Sequence, residues 1–138
     1  MTVEPLSERM LNNKQHWQQI GSEILQHYGC EETYVGIGRC IDLWKQQSDT
    51  AAKKYKETEV LDGLGFLLGE LCIGEFGGGW VWITDEHGST PAICHSGAET
   101  VSYIVDSISR RLRDDTCAED DIPTIVAMYE RSQFSQLN

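Results

Sequence analysis

The chain has 138 residues, with 22 Asp+Glu against 11 Lys+Arg and a formal net charge of -11 at pH 7. That length suits one compact domain needing no disulfide or metal staple, and 40% apolar residues are enough to build its core. A chain this acidic is repelled by phosphate backbones and anionic lipid, which argues against nucleic-acid and membrane-surface roles and leaves room for a basic protein partner.

No apolar run approaches the ~20 residues of a membrane span, and the opening stretch MTVEP lacks the charged and apolar regions of a signal peptide. A cytoplasmic location is therefore expected. Cys30, Cys40, Cys72, Cys94 and Cys117 are odd in number and scattered, with no C-x-x-C pair, as suits reduced thiols. Cys94 and His95 are neighbours with no second ligand pair at metal-binding spacing, so neither a metal nor a cofactor is expected.

In chain order, residues 7–28 place Met10, Trp17, Ile20, Ile24 and Tyr28 on one helical stripe, with Ser7 as N-cap and Gly29 as stop. Residues 33–47 repeat the pattern through Tyr34, Ile37, Ile41 and Trp44. Gly36 and Gly38 weaken that helix intrinsically, so packing must hold it, at a point where another backbone comes close. Residues 46–57 form a polar connection carrying Lys53, Lys54 and Lys56.

Residues 58–76 are apolar around most of the helical circumference, which predicts a central helix, and Gly65 and Gly69 leave a groove for a close neighbour. Gly77, Gly78 and Gly79 end it. Residues 80–84 (WVWIT) and 90–95 (TPAICH) predict an antiparallel strand pair around the turn Asp85-Glu86-His87-Gly88, with a second turn at Ser96-Gly97. Next come a short strand at 99–102 and a helix at 103–113, or alternatively a strand at 100–105 with Asp106 capping a shorter helix. A last helix starts at 120–123 with Pro123 in its first turn.

The predicted fold is a single α+β domain over residues 1–138, with about five helices around a two- to three-stranded antiparallel sheet. Residues 1–47 supply an N-terminal helical pair and 58–129 a helix–hairpin–helix core. Trp80 and Trp82 share one face of the sheet, either covered by helices or left as a binding surface; the covered arrangement is preferred, since five helices are at hand.

Three sets of residues could carry function. Asp85, His87, Cys94 and His95 would make a nucleophilic or ligand-binding hairpin if the register brought them together, although Asp-x-x-Gly is also ordinary turn chemistry. The glycines of the central helix lie inside an apolar row with no Walker lysine after them, so they are helix packing and not a phosphate loop. Asp114, Asp115, Glu119, Asp120 and Asp121 put five acids within eight residues, beside Arg110, Arg111 and Arg113. Such a surface could attract a basic partner, with Trp82 as aromatic anchor.

The segment Leu68-Gly69-Glu70, the run from Gly77 to Val81, the turn Asp85 to Gly88, and the later Arg110-Arg111-Leu112-Arg113 and Met128-Tyr129 resemble a family of small uncharacterised bacterial domains. These share a helix–glycine–tryptophan–strand core, and some are similar to immunity proteins that neutralise toxins. The resemblance spans residues 60–129 and implies a fold core with no catalytic residues to carry over.

The leading expectation is a non-enzymatic immunity or inhibitor protein that binds a cognate basic toxin through Trp82, Asp114, Asp115, Glu119, Asp120 and Asp121. The alternatives are a small-ligand binder or hydrolase using the hairpin, and a homodimeric adaptor joined through the tryptophan face.

Overall fold

A computed structural model describes residues 2–47, 53–95 and 101–134. In chain order these form β1 (Thr2–Pro5), α1 (Glu8–His27), α2 (Tyr34–Gln46), α3 (Glu57–Phe76), β2 (Gly79–Asp85), β3 (Gly88–Cys94), β4 (Val101–Ser102), α4 (Ile104–Arg113) and α5 (Ala118–Phe134). The domain is α+β, as the sequence predicts.

Local chemistry accounts for most of the helix ends. Ser7 Oγ accepts from the Met10 amide at 3.2 Å and Thr33 Oγ1 from the Gly36 amide at 3.0 Å, each satisfying a donor that the first helical turn leaves free. Gly29 has φ 69°, the left-handed conformation that ends α1 without a Cβ penalty. At the end of α3, Gly77 and Gly78 have φ 96° and 110°, and the Tyr129 hydroxyl donates to the Gly77 carbonyl at 2.6 Å.

The sheet departs from expectation in its strand count. The described residues form four antiparallel strands in the order β1-β2-β3-β4, not two or three. The added strand is β1, which pairs Thr2 with Thr84 and Pro5 with Val81. All four of its residues are exposed, so it lacks the one-sided apolar alternation that marks a strand in sequence. Its final proline sits on an edge strand, where a missing N–H is tolerated. The short strand followed by a helix is the arrangement adopted after β3; residues 99 and 100 of that predicted strand, the turn at 96–97 and residues 48–52 of the polar connection lie outside the described residues.

The last helix begins earlier than its sequence suggests. It starts at Ala118, so Pro123 lies in the second turn and not the first. The cause is long-range: Asp42, on α2, accepts from the amides of Ala118 at 2.7 Å and Glu119 at 2.9 Å. A cap delivered from 76 residues away leaves no local signature.

One apolar cluster runs through all five helices and takes in Ile93 of β3; Ile24, Ile37, Ile41, Leu64, Leu68, Ile108 and Ile122 are fully buried. The helix α3 is central, packed most extensively against α1 and then α4, while α2 packs on α5. Close approach is built on glycine. A Cβ on Gly21 of α1 would stand 2.4 Å from the Gly63 carbonyl oxygen of α3, so the two backbones touch where these helices cross. Likewise the Trp80 ring occupies the space a Cβ on Gly69 would need, and Gly38 lies against the Glu119 backbone.

Trp80 thus faces α3, as the covered arrangement requires. Its indole N–H donates to Glu70 Oε1 at 2.9 Å, its ring lies 5.1 Å from that of Phe66, and Lys14 of α1 meets the same Glu70 oxygen at 2.9 Å. Burial raises the Glu70 pKa, but the Lys14 and Trp80 hydrogen bonds and the Lys14 charge outweigh it and leave the carboxyl below its ordinary value.

Candidate binding site

The hairpin residues do not meet. Asp85 pairs with Gly88 at the turn, whereas Cys94 pairs with Gly79 at the opposite end, roughly 20 Å away at strand rise. Asp85 Oδ1 accepts from the His87 amide at 2.8 Å, the ordinary turn bond, and His87 is solvent-exposed beside Glu86. His95 is 1% exposed; its Nε2 lies 2.6 Å from Ser102 Oγ, joining the end of β3 to β4, and its ring packs on Tyr129 with centroids 4.7 Å apart. The four side chains therefore cannot share a substrate. The thiols of Cys40 and Cys72 are buried, which pushes each up to about 12.

The acidic run curls around the start of α5 against α2, and most of it is neutralised from within the chain. Arg111 Nη1 bonds Asp121 Oδ2 at 2.8 Å, and its Nε stands 3.9 Å from Asp114. The Thr116 hydroxyl lies 2.5 Å from an oxygen of each of these two carboxylates. Hydrogen bonding from Thr116, followed by the Arg111 charge, holds Asp114 and Asp121 below the usual carboxylate range. Lys45 is 3.7 Å from Asp114 and donates to the Arg111 and Thr116 carbonyls, supporting the end of α4 and the turn beyond it. Glu119 pairs with Arg39 at 3.1 Å.

Asp115 and Asp120 are exposed, and among the described residues neither makes an ion pair. A shallow hollow of about 470 Å³ opens here, its described lining holding Asp42, Asp114, Asp115 and Glu119 with Arg39 and Lys45 as cations. Three of the six predicted contact residues line it.

Trp82, the sixth, is elsewhere. It lines a cavity of about 220 Å³ at the corner where α1, α3 and the sheet meet. Leu6, Met10 and Trp17 enclose it from the N-terminal side, Phe66 from α3, and Trp82 and Pro91 from the hairpin. Among the described residues its polar lining is Asn13 and Asp62. Asp62 is half-buried, and no hydrogen bond or ion pair reaches its carboxylate among the described residues. Burial, with nothing to offset it, raises its pKa. In sequence Asp62 is one of three acids in the apolar stretch 60–76, with nothing to mark it. Trp17 and Met10 read there as part of the buried stripe of α1. A third hollow, of about 410 Å³, lies between α4 and α5 and is lined by Ser102, Tyr103, Arg110, Met128 and Tyr129.

These features define a small α+β domain whose hollows lie between its helices and beside a tryptophan-bearing hairpin. A family described as a domain of unknown function (DUF3806) matches residues 41–129, and the chain belongs to it. That match takes in α3, the β2–β3 hairpin, α4 and most of α5, and leaves β1 and α1 outside. No curated protein and no solved structure matches the chain. No described helix is long and apolar enough to cross a membrane.

Proposed function

We propose that this chain is a non-enzymatic inhibitor of the immunity-protein kind, which binds a basic protein toxin and occludes it. The supporting observation is the pair Asp115 and Asp120, exposed at the start of α5 while the cations of that corner, Arg39, Lys45 and Arg111, are already engaged. With a net charge of -11, the field outside this corner stays negative, which speeds encounter with a cationic surface and rejects anionic ones.

In this role Asp114, Asp121 and Glu119 shape the surface, and Asp115 and Asp120 meet the partner. The bound toxin sits across the hollow between α2 and the α4–α5 connection. The test is co-expression with the product of the adjoining gene. A complex that weakens with added salt, together with rescue of growth lost in the Asp115→Lys/Asp120→Lys variant, is the expected result. Failure of the unaltered chain to form a complex or rescue growth would refute the proposal.

A further inference from the structure

The cavity around Asp62 has a composition that selects its ligand. Its walls are Trp17, Trp82, Phe66, Met10, Leu6 and Pro91, and among the described residues its one charged lining residue is Asp62, with Asn13 the one other polar residue. A carboxylate half-withdrawn from water, with no hydrogen-bond or ion-pair partner among the described residues, favours a cation as occupant. Three aromatic residues in the lining, one each from α1, α3 and β2, favour the same sign, because the faces of aromatic rings carry negative charge density.

The kind of cation follows from counting donors. A lysine ammonium brings three N–H groups and a guanidinium five, all of which need acceptors once they leave water. One carboxylate and one amide satisfy few of them, so such a head binds here only with its other donors kept in water. A methylated ammonium has no such requirement: its charge is spread over an apolar shell that aromatic and methionine surfaces can cover. A cavity of about 220 Å³ has room for that group.

We infer that this cavity binds a trimethylammonium group, with Asp62 as counter-ion and Trp17, Trp82 and Phe66 around the methyls. The site is independent of the acidic corner, since none of its lining residues lies in the run 114–121. The group could be carried by a small solute or by a trimethylated lysine on a protein, and the chemistry recognised is the same.

The experiment is a titration of the full chain followed by tryptophan fluorescence and by the indole N–H signals in NMR, at constant ionic strength made up with sodium chloride. The probes are choline, tetramethylammonium, a trimethyl-lysine peptide and its unmethylated form, and 3,3-dimethylbutan-1-ol, the uncharged isostere of choline. The expected result is saturable binding in the millimolar range or tighter by the trimethylammonium probes, with the uncharged isostere and the unmethylated peptide each weaker by about tenfold or more. Tighter binding of the peptide than of choline would assign the source to a protein, and the reverse to a solute.

Asp62→Asn should weaken choline binding about tenfold without unfolding the chain, since it removes a charge of almost the same shape. Trp82→Leu should do likewise, and circular dichroism would confirm that the fold is kept. Equal binding of choline and its uncharged isostere, no saturable change with any trimethylammonium probe, or unchanged affinity in a folded Asp62→Asn variant would each overturn the assignment.

Discussion

The two corners of the molecule treat their carboxylates in opposite ways. At the α2–α5 corner five acids crowd into one stretch, yet Arg39, Lys45, Arg111 and the Thr116 hydroxyl engage three of them, and Asp42 is occupied in capping α5. In the cavity between α1, α3 and the hairpin the one acid of the lining, Asp62, shares the space with aromatic residues and has no partner at all among the described residues. Charge density along a chain is therefore a poor guide to charge available for binding. What decides availability is whether a neighbouring element brings a donor or cation to the same place.

The largest expected effect comes from forcing the α1–α3 corner apart. Gly21→Ala would put a methyl 2.4 Å from the Gly63 carbonyl oxygen, a backbone atom that cannot swing away. The resulting strain should exceed the ~1 kcal/mol that alanine gains in helix propensity and cost about 3 kcal/mol in urea unfolding. With α1 displaced, the Asp62 pKa should also fall towards its ordinary value.

Next is the opposite corner. Asp42→Ala removes the acceptor for two amides of α5 and should cost about 2 kcal/mol, with the loss of helix concentrated at residues 118–121 in amide exchange.

Asp62→Asn should act in the other direction and stabilise the fold by less than about 1 kcal/mol, because it removes a charge held away from water without a partner. The sign has a pH signature. The folded pKa of Asp62 lies above its unfolded value, so the folded state holds the proton more tightly and loses stability as pH rises through that range. The advantage of Asp62→Asn should be full above the folded pKa and absent below the unfolded one. Glu70, Asp114 and Asp121, whose pKa values are lowered, contribute stability above their unfolded values and lose it as pH falls through the folded ones. The smallest effect is expected for Asp115→Lys with Asp120→Lys. Those exposed positions should change stability by no more than about 0.5 kcal/mol in thermal unfolding while slowing association with a basic partner.

Much of the fold was legible in the residues themselves. The stripes of α1 and α2, the all-round apolar α3 and the aromatic hairpin each carry a period or composition that only one kind of element explains. The Gly65 and Gly69 groove was equally plain, and Val105 and Trp80 fill it. Three things were hidden, each because its cause is distant in sequence. The strand β1 exists through pairing with β2, some 80 residues on. The start of α5 is set by Asp42. The Asp62 cavity needs Trp17, Phe66 and Trp82 from three elements, and no local pattern links them. Trp82 stands out in sequence as an aromatic anchor, but the acids predicted to act with it lie at another corner.

The contrast between the corners can be measured in one sample. Side-chain carboxyl carbons of Asp62, Asp114 and Asp121 can be followed by NMR as the folded protein is acidified. The expected result is that Asp62 titrates above the ordinary aspartate value of 3.8 while Asp114 and Asp121 titrate below it. If Asp62 titrates together with those two or below them, it has a partner after all and the distinction between the two corners fails.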